Sequence, residues 1–388
     1  MMLKKRSTKI GKIALLLILI LLIVSVTGCF KKIDGGLQRD TEIEQTGTGD
    51  QGNKQEESTT RIIKDMAGRE VEIPKKVNKV FTTSGVGTIA LYSINPSKIA
   101  GLNSKLTELE EKYLTKEYQQ LPILGNYQDS SSGNDEEILK AAPDIIISMG
   151  DIDERWIKDA DESQKKLGIP FLMIDGDLMN LHKTYEFLGD VLGEEEKCRE
   201  LGEYCKNAIE EAKVIANKIP AEEKIRVYYA STQGPLVTNI AGTIHTQVID
   251  LIGAINVVEP TAGEKIKGGV EVSMEQILSW NPEKIIAAKS VGDNVGSYKT
   301  IIKDSKWKNI KAVQNNQVYA IPNAPFNWFD RPPSINRVIG VKWLGNLIYP
   351  EKFNYDMNKE TKEFYKMFYH CELTDDEVAE ILENAIPI

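Results

Sequence analysis

The run Asn327-Trp328-Phe329-Asp330-Arg331, just ahead of Pro332-Pro333, places two aromatic rings and an acid–base pair on one predicted loop. The planar fork of Arg331 suits a carboxylate or an oxoanion. Asp330 beside it can orient it, and Trp328 can offer a flat apolar wall to a bulky ligand. The same residues have a structural use, with Trp328 and Phe329 plugging a core and Arg331 in an internal ion pair. Gly85-Val86-Gly87-Thr88-Ile89-Ala90 follows a strand-like run and fits G-x-G-x-x-A. A lone match is weak evidence for a dinucleotide, and Asn103 stands where a ribose-binding acid would be. Backbone N–H groups at such a helix start can hold an anion instead. His182, His245 and His370 lack zinc-motif spacing, and His245 alone reads as a satisfied polar residue. Cys198 and Cys205 lie seven apart in a helical segment, roughly 10 Å between Cα atoms, too far for a disulfide. They read as free, buried thiols. No nucleophile elbow is present, and acids such as Asp151 and Asp153 read as surface groups. Neither a catalytic set nor a metal site emerges.

These residues need strands to position them. Glu136-Glu137-Ile138-Leu139 leads through Pro143-Asp144 into Ile145-Ile146-Ile147, and Glu275-Gln276-Ile277-Leu278 leads through Pro282-Glu283 into Ile285-Ile286. Each is a short amphipathic helix stopped before proline and feeding a buried parallel strand. Two copies in matching contexts predict two similar α/β lobes. Arg61 to Glu72 alternates around Ala67-Gly68 as a hairpin. Lys79–Thr83 and Phe171–Ile174 read as strands of the first lobe, Lys224–Ala230 and Gln317–Ile321 as strands of the second. Glu194 to about Lys218 carries apolar residues at helical spacing and would be roughly 37 Å long, enough to link two lobes. Ligands of open α/β sheets bind at loops after the strands. The expected ligand contacts are therefore Ser84, Asn126, Tyr127, Met149, Tyr229, Trp328 and Arg331.

The first residues set the compartment. Lys4, Lys5, Arg6, Lys9 and Lys12 precede an uncharged apolar run, Ile13–Val26. That run is short for a membrane-spanning helix, which takes roughly 20 residues, and the layout is that of an export signal. Val26-Thr27-Gly28-Cys29 resembles a bacterial lipobox, which implies cleavage before Cys29, a lipid on its sulfur and an anchored, extracytoplasmic chain. Residues 31–60 hold few large apolar groups and read as a flexible tether. The expected divisions are a signal at 1–28, a tether at 29–60, a first lobe at 61–178, a linking helical segment at 179–220 and a second lobe at 221–388. Beyond residue 28 the chain has 43 basic and 57 acidic residues, a net −14, which argues against nucleic acid as partner.

From Arg61 onward the chain resembles the metal-chelate class of ABC-transporter binding proteins. The matching pieces, in order, are Asp65-x-x-Gly68-x-x-Val71-x-Ile73-Pro74, Leu124-Gly125 to Pro143-Asp144-Ile145-Ile146, the long helix, Ile252-Gly253-Ala254-Ile255-Asn256-Val257, Val272-Ser273-Met274-Glu275, and Trp307 through Ala312-Val313 to Gln317–Pro322. The resemblance implies two α/β lobes with parallel-rich sheets, joined by one long α-helix, with the ligand in the cleft between them. It implies docking to a permease and its ATPase through a glutamate on each lobe, at positions matching Glu136 and Glu275. The ligand it favours is a metal complex such as a ferric siderophore, with a corrinoid or a molybdate-type oxoanion as alternatives. The chain itself is expected to carry no cofactor. An adhesive or sensory lipoprotein, or an extracellular hydrolase, would be a reading of another class.

Overall fold

The computed structural model describes residues 58–127, 133–260, 269–289 and 296–387. The leader, Cys29 and the tether up to residue 57 lie outside these described residues. Glu57–Ile388 forms one compact unit, and all its apolar clusters lie within it.

The chain enters through an antiparallel hairpin, β1 (Thr60–Lys64) and β2 (Glu70–Pro74), with Ile63 opposite Val71. Asp65 closes its turn by accepting from the backbone N–H groups of Ala67 (3.0 Å) and Arg69 (2.9 Å). Its other oxygen accepts from Met173 N–H (3.0 Å), which fixes the hairpin to the first lobe. That lobe has a parallel sheet of β3 (Val80–Thr82), β4 (Ile145–Gly150) and β5 (Phe171–Asp175), in that order. The second lobe has a parallel sheet in the order β11 (Val318–Ile321), β10 (Lys284–Ala288), β6 (Arg226–Ala230), β8 (Ile255–Asn256). A small antiparallel pair, β7 (Val237–Thr238) and β9 (Val270–Glu271), flanks it.

The predicted repeat is present in three dimensions. Helices α2 (Asp135–Ala141) and α7 (Met274–Trp280) each end on a left-handed residue, Ala142 (φ 47°) and Asn281 (φ 43°). Each end is followed by proline and an acid. Asp144 Oδ2 accepts from the N–H groups of Asn78 (2.7 Å) and Lys79 (2.9 Å), at the entry to β3. Glu283 Oε2 accepts from Arg226 N–H (3.1 Å), the first residue of β6. The acid of each copy therefore ties its own strand to the start of the neighbouring one.

Side chains alternate across each central strand, as a two-residue period demands. Phe81, Ile146, Phe171 and Met173 pack into a cluster private to the first lobe. Tyr228, Ala230, Ile285 and Ala287 do the same in the second. The residues between them, Val80, Ile145, Ile147, Leu172, Val227, Tyr229 and Ile286, all join one continuous core. That core is filled by α4 (Leu181–Leu192) and α5 (Glu195–Ala216), and then by α8 (Arg337–Ile348), α9 (Met357–Tyr369) and α10 (Asp375–Ile381). The long linking helix is present, two residues shorter at its C-terminus than its periodicity suggests. Cys198 and Cys205 are free and buried on it, and burial pushes the Cys198 thiol up to about 12.

The terminal helices do not stay in the second lobe. Tyr365 packs on Tyr113 (5.8 Å) and Phe368 on Tyr185 (6.4 Å), while His370 Nε2 bonds the Tyr92 carbonyl (3.0 Å). The chain thus crosses between the lobes through the linking segment and returns over the first lobe at its end.

Helix α8 carries the loop that ends at Arg331. A Cβ on Gly340 would lie 1.9 Å from the Trp328 carbonyl oxygen, a separation only backbone movement can relieve. Gly340→Ala is expected to destabilise the fold by about 2–3 kcal/mol, measured by denaturant unfolding. A loss under about 0.5 kcal/mol would mean that the loop is not seated on the helix as described.

Candidate functional site

The loops after the strands of both sheets come together. A Cβ on Gly85, after β3, would lie 3.9 Å from Pro332 Cγ, after β11. Gln247 Nε2 on α6 (Gln247–Leu251) donates to Asp177 Oδ1, after β5 (3.3 Å). Arg337 is 1% exposed and links both sides. Its guanidinium donates to Gly176 O (2.8 Å) from the first lobe, and to Gln247 Oε1 (2.7 Å) and Ile244 O (3.3 Å) from the second. Burial lowers its pKa to about 10, against the opposing pull of Asp330, Asp177, Asp151 and Asp175, so it remains a cation at neutral pH.

Helix α1 (Gly85–Ile94) starts at this junction. Ser84 occupies its N-cap in extended conformation, yet its hydroxyl makes no capping bond. The Ser84 Oγ atom is buried without a hydrogen-bond partner. N-cap serines normally bond the first N–H groups of their helix; here, among the described residues, the hydroxyl does not. Gly87 has a packing role: a Cβ there would meet Thr82 Cβ at 3.3 Å and Met149 Cβ at 3.5 Å. It lets the helix start sit down on the sheet.

Opposite stands Arg331, in the left-handed region at φ 55°, an uncommon conformation for a residue with a long side chain. Its Nε lies 3.5 Å from Asp330 Oδ2, but neither Nε nor Nη2 has a hydrogen-bond partner, and both are buried. Asp330 is fully buried. Its Oδ1 meets His245 Nδ1 at 2.6 Å and its Oδ2 accepts from the Tyr229 hydroxyl at 3.1 Å. Burial, with Asp330 nearby, raises the Tyr229 pKa well above its ordinary value, so the phenol remains a donor. Asn327 Oδ1 accepts from the N–H groups of Phe329 (2.8 Å) and Asp330 (2.9 Å) and fixes the loop.

Of the residues expected to contact ligand, Ser84 and Arg331 fall on this junction with unused donors. Tyr229 reaches it through Asp330. Trp328 is 0% exposed and packs near Tyr365 (6.5 Å); it fills the core and presents no flat wall to a ligand. Met149 is also buried, beneath Gly87. Tyr127 is pinned by its N–H to the Thr83 carbonyl (2.8 Å), and its ring lies against Gly133 within the first lobe. Asn126 adjoins it, part-exposed. Asn103 donates to Thr82 O (2.8 Å) and accepts from Thr88 Oγ1 (2.5 Å), a structural post beneath the helix start. Sequence reasoning missed Arg337 and Gln247 and undervalued His245. An arginine directly ahead of the apolar run Val338-Ile339-Gly340-Val341 was the available signal. Glu136 and Glu275 both lie exposed in the first turns of α2 and α7. Among the described residues no group of three or more His, Cys, Asp or Glu is placed to hold a metal ion.

Comparison with known proteins agrees with this architecture. The chain is 27% identical over 350 residues to the molybdate-binding protein MolA of Haemophilus influenzae, covering 82% of this chain and 93% of that one. It is 24% identical over 261 residues to a vitamin B12-binding protein of Vibrio parahaemolyticus, covering 66% and 86%. A solved ABC transporter solute-binding protein from Sulfurospirillum deleyianum superposes with a TM-score of 0.75 at 31% identity, over 83% of this chain and 99% of that one. The profile of the periplasmic binding protein family matches residues 71–325. The chain belongs to that family, as an extracytoplasmic solute-binding protein and not an enzyme.

Proposed function

We propose that this protein is the solute-capturing component of an ABC importer and that its cargo is a tetrahedral oxoanion of the molybdate class. The observation that carries this reading is Arg331: its Nε lies 3.5 Å from Asp330 Oδ2, and among the described residues neither Nε nor Nη2, both buried, makes a hydrogen bond. Buried donors without partners are costly, so a bound acceptor is their natural complement. Across the junction the start of α1 and the free Ser84 hydroxyl add donors of the kind that anions use. The groups at the junction are hydrogen-bonding ones. The sequence favoured an iron chelate, a reading that leaned on Trp328 as an apolar wall; with Trp328 buried, the smaller anion has the better support. The molybdate-binding relative, which aligns over most of both chains, points the same way. A corrinoid remains the second reading, on the strength of the vitamin B12-binding relative.

Calorimetric titration of the unit Glu57–Ile388 with molybdate, tungstate, sulfate, cobalamin, haem and a ferric siderophore tests the cargo. Molybdate or tungstate is expected to bind. Arg331→Ala is expected to cost about 2 kcal/mol, roughly thirtyfold in Kd. Binding of cobalamin or a chelate alone would overturn the oxoanion reading.

Delivery is assigned to Glu136 and Glu275. They stand at matching places of the repeat, one per lobe, both exposed, so a two-lobed permease face can engage them together. A lipid on Cys29 would hold the protein at the membrane. The double reversal Glu136→Lys/Glu275→Lys is expected to abolish cellular uptake and leave the calorimetric Kd unchanged. Unimpaired uptake would remove the docking role.

A further inference from the structure

We propose that Arg337 and Gln247 are positioning residues that clasp the two halves of the binding junction together. Cargo then leaves when the lobes part along one line, between these two side chains and the turn Gly176-Asp177. The clasp stands on geometry alone; the release step rests on the oxoanion reading above. Three hydrogen bonds of the buried Arg337 guanidinium stay on its own side. Nε donates to Ser334 O (3.2 Å), and Nη1 to Ile244 O (3.3 Å) and Gln247 Oε1 (2.7 Å). A further bond, from Nη2 to Gly176 O (2.8 Å), crosses to the first lobe. Gln247 crosses as well, from Nε2 to Asp177 Oδ1 (3.3 Å). Both crossing bonds end on neighbouring residues of one turn, directly after β5.

That turn belongs firmly to the first lobe. Gly176 N–H donates to Gly150 O (3.0 Å), Asp177 N–H to Asp175 Oδ1 (2.8 Å), and Met179 N–H to Asp177 Oδ1 (2.8 Å). Asn180 Nδ2 holds the other oxygen of Asp175 at 2.8 Å. A Cβ on Gly176 would lie 2.9 Å from Gly150 Cα, so the turn is seated on the end of β4. Met149, one residue earlier on that strand, supports the start of α1 beneath Gly87. The turn therefore moves with Ser84. On the other side Ile244 precedes His245, whose Nδ1 meets Asp330 Oδ1 at 2.6 Å, and Asp330 Oδ2 lies 3.5 Å from Arg331 Nε. Arg337 therefore moves with Arg331.

Ser84 and Arg331, which keep buried donors without a hydrogen bond among the described residues, thus stand on opposite sides of the parting line. The two crossing bonds fix how far apart they are. The shared apolar core holds the lobes together along the sheet faces, so separation is cheapest at the loop ends, where water can replace a hydrogen bond. When the line opens, Gly176 O and Asp177 Oδ1 pass to water, while Arg337 keeps its acceptors on the second lobe. A small shift of packed elements suffices, without a loop hinge.

The distance between two spin labels tests the clasp in the unit Glu57–Ile388 without any cargo. The labels go on Glu154→Cys, exposed at the start of α3 (Glu154–Leu167) after β4, and on Lys299→Cys, exposed on the helix Ser297–Lys303 after β10. Cys371→Ser removes the part-exposed thiol, and Cys198 and Cys205 are buried. Gln247→Ala is expected to lengthen or broaden the distance, and so is Arg337→Lys, which keeps the charge but loses the fork. Gln247→Glu sets like charges against each other at Asp177 and is expected to do the same. Adding Asp177→Asn, which presents an amide N–H to the new carboxylate, is expected to restore the wild-type distance, a rescue that general loss of stability would not show. In stopped-flow mixing with sodium molybdate, Gln247→Ala is expected to release the anion about tenfold faster with little change in the association rate. Wild-type distances in Gln247→Ala and Arg337→Lys, or no rescue by Asp177→Asn, would overturn the clasp. A changed distance with an unchanged release rate would overturn the release step. Absence of molybdate binding would overturn the oxoanion reading and the release step with it, while the distances would still decide the clasp.

Discussion

One face of each central sheet is packed on the same apolar core, and the rest of the molecule is registered against it. Alternate apolar residues of β3, β4, β5, β6 and β10 enter this core, among them Val80, Ile145, Ile147, Leu172, Val227, Tyr229 and Ile286, and α4, α5, α8, α9 and α10 fill it. Interiors of this kind are close-packed and transmit displacement. The ends of both sheets therefore face one another at a separation set by packed side chains. The return of the terminal helices over Tyr92, Tyr113 and Tyr185 makes the lobes joint owners of this core. Large hinge-type opening, which needs a connection of a few loop residues, has little place in such a frame.

Against that frame the junction is polar and nearly self-sufficient. Arg337 is a buried cation whose donors are met by carbonyl and amide oxygens from both lobes. Asp330 is a buried anion whose oxygens are met by His245, Tyr229 and Arg331. Buried charges persist only when paired or fully hydrogen-bonded. Arg331, paired only by its 3.5 Å approach to Asp330, and the Ser84 hydroxyl both keep buried donors without a hydrogen bond among the described residues, where the loops of the two lobes converge. The left-handed backbone of Arg331 is sustained by its neighbours: Asn327 braces the loop from within, and α8 supports it through Gly340.

Much of this could be read in the residues. The hairpin, the repeat, the parallel strands and the long helix follow from local pattern, because each is written in a few consecutive positions. The placement of Ser84 at a helix start after a strand and of Arg331 on a late loop was legible for the same reason. Trp328 was misjudged because a tryptophan beside polar residues reads alike whether it faces a ligand or the core; its burial depends on Tyr365, 37 positions later. Arg337 escaped because its partners, Gly176 on one side and Ile244 and Gln247 on the other, are contributed by two distant segments. The return of the terminal helices to the first lobe is likewise a tertiary fact with no local sign.

The Pro-acid step of the repeat has a metrological side. Asp144 and Glu283 measure the offset between neighbouring parallel strands at the end remote from the junction of the two lobes' loops. A slip of one residue there would reverse the faces of a strand and carry its far end about 3.3 Å along its axis. For β3 that far end is the platform of Ser84; for β6 it is the platform of Tyr229. Two carboxylates at the outer rim thus act as gauge blocks, setting the tolerance to which the two halves of the binding junction are cut.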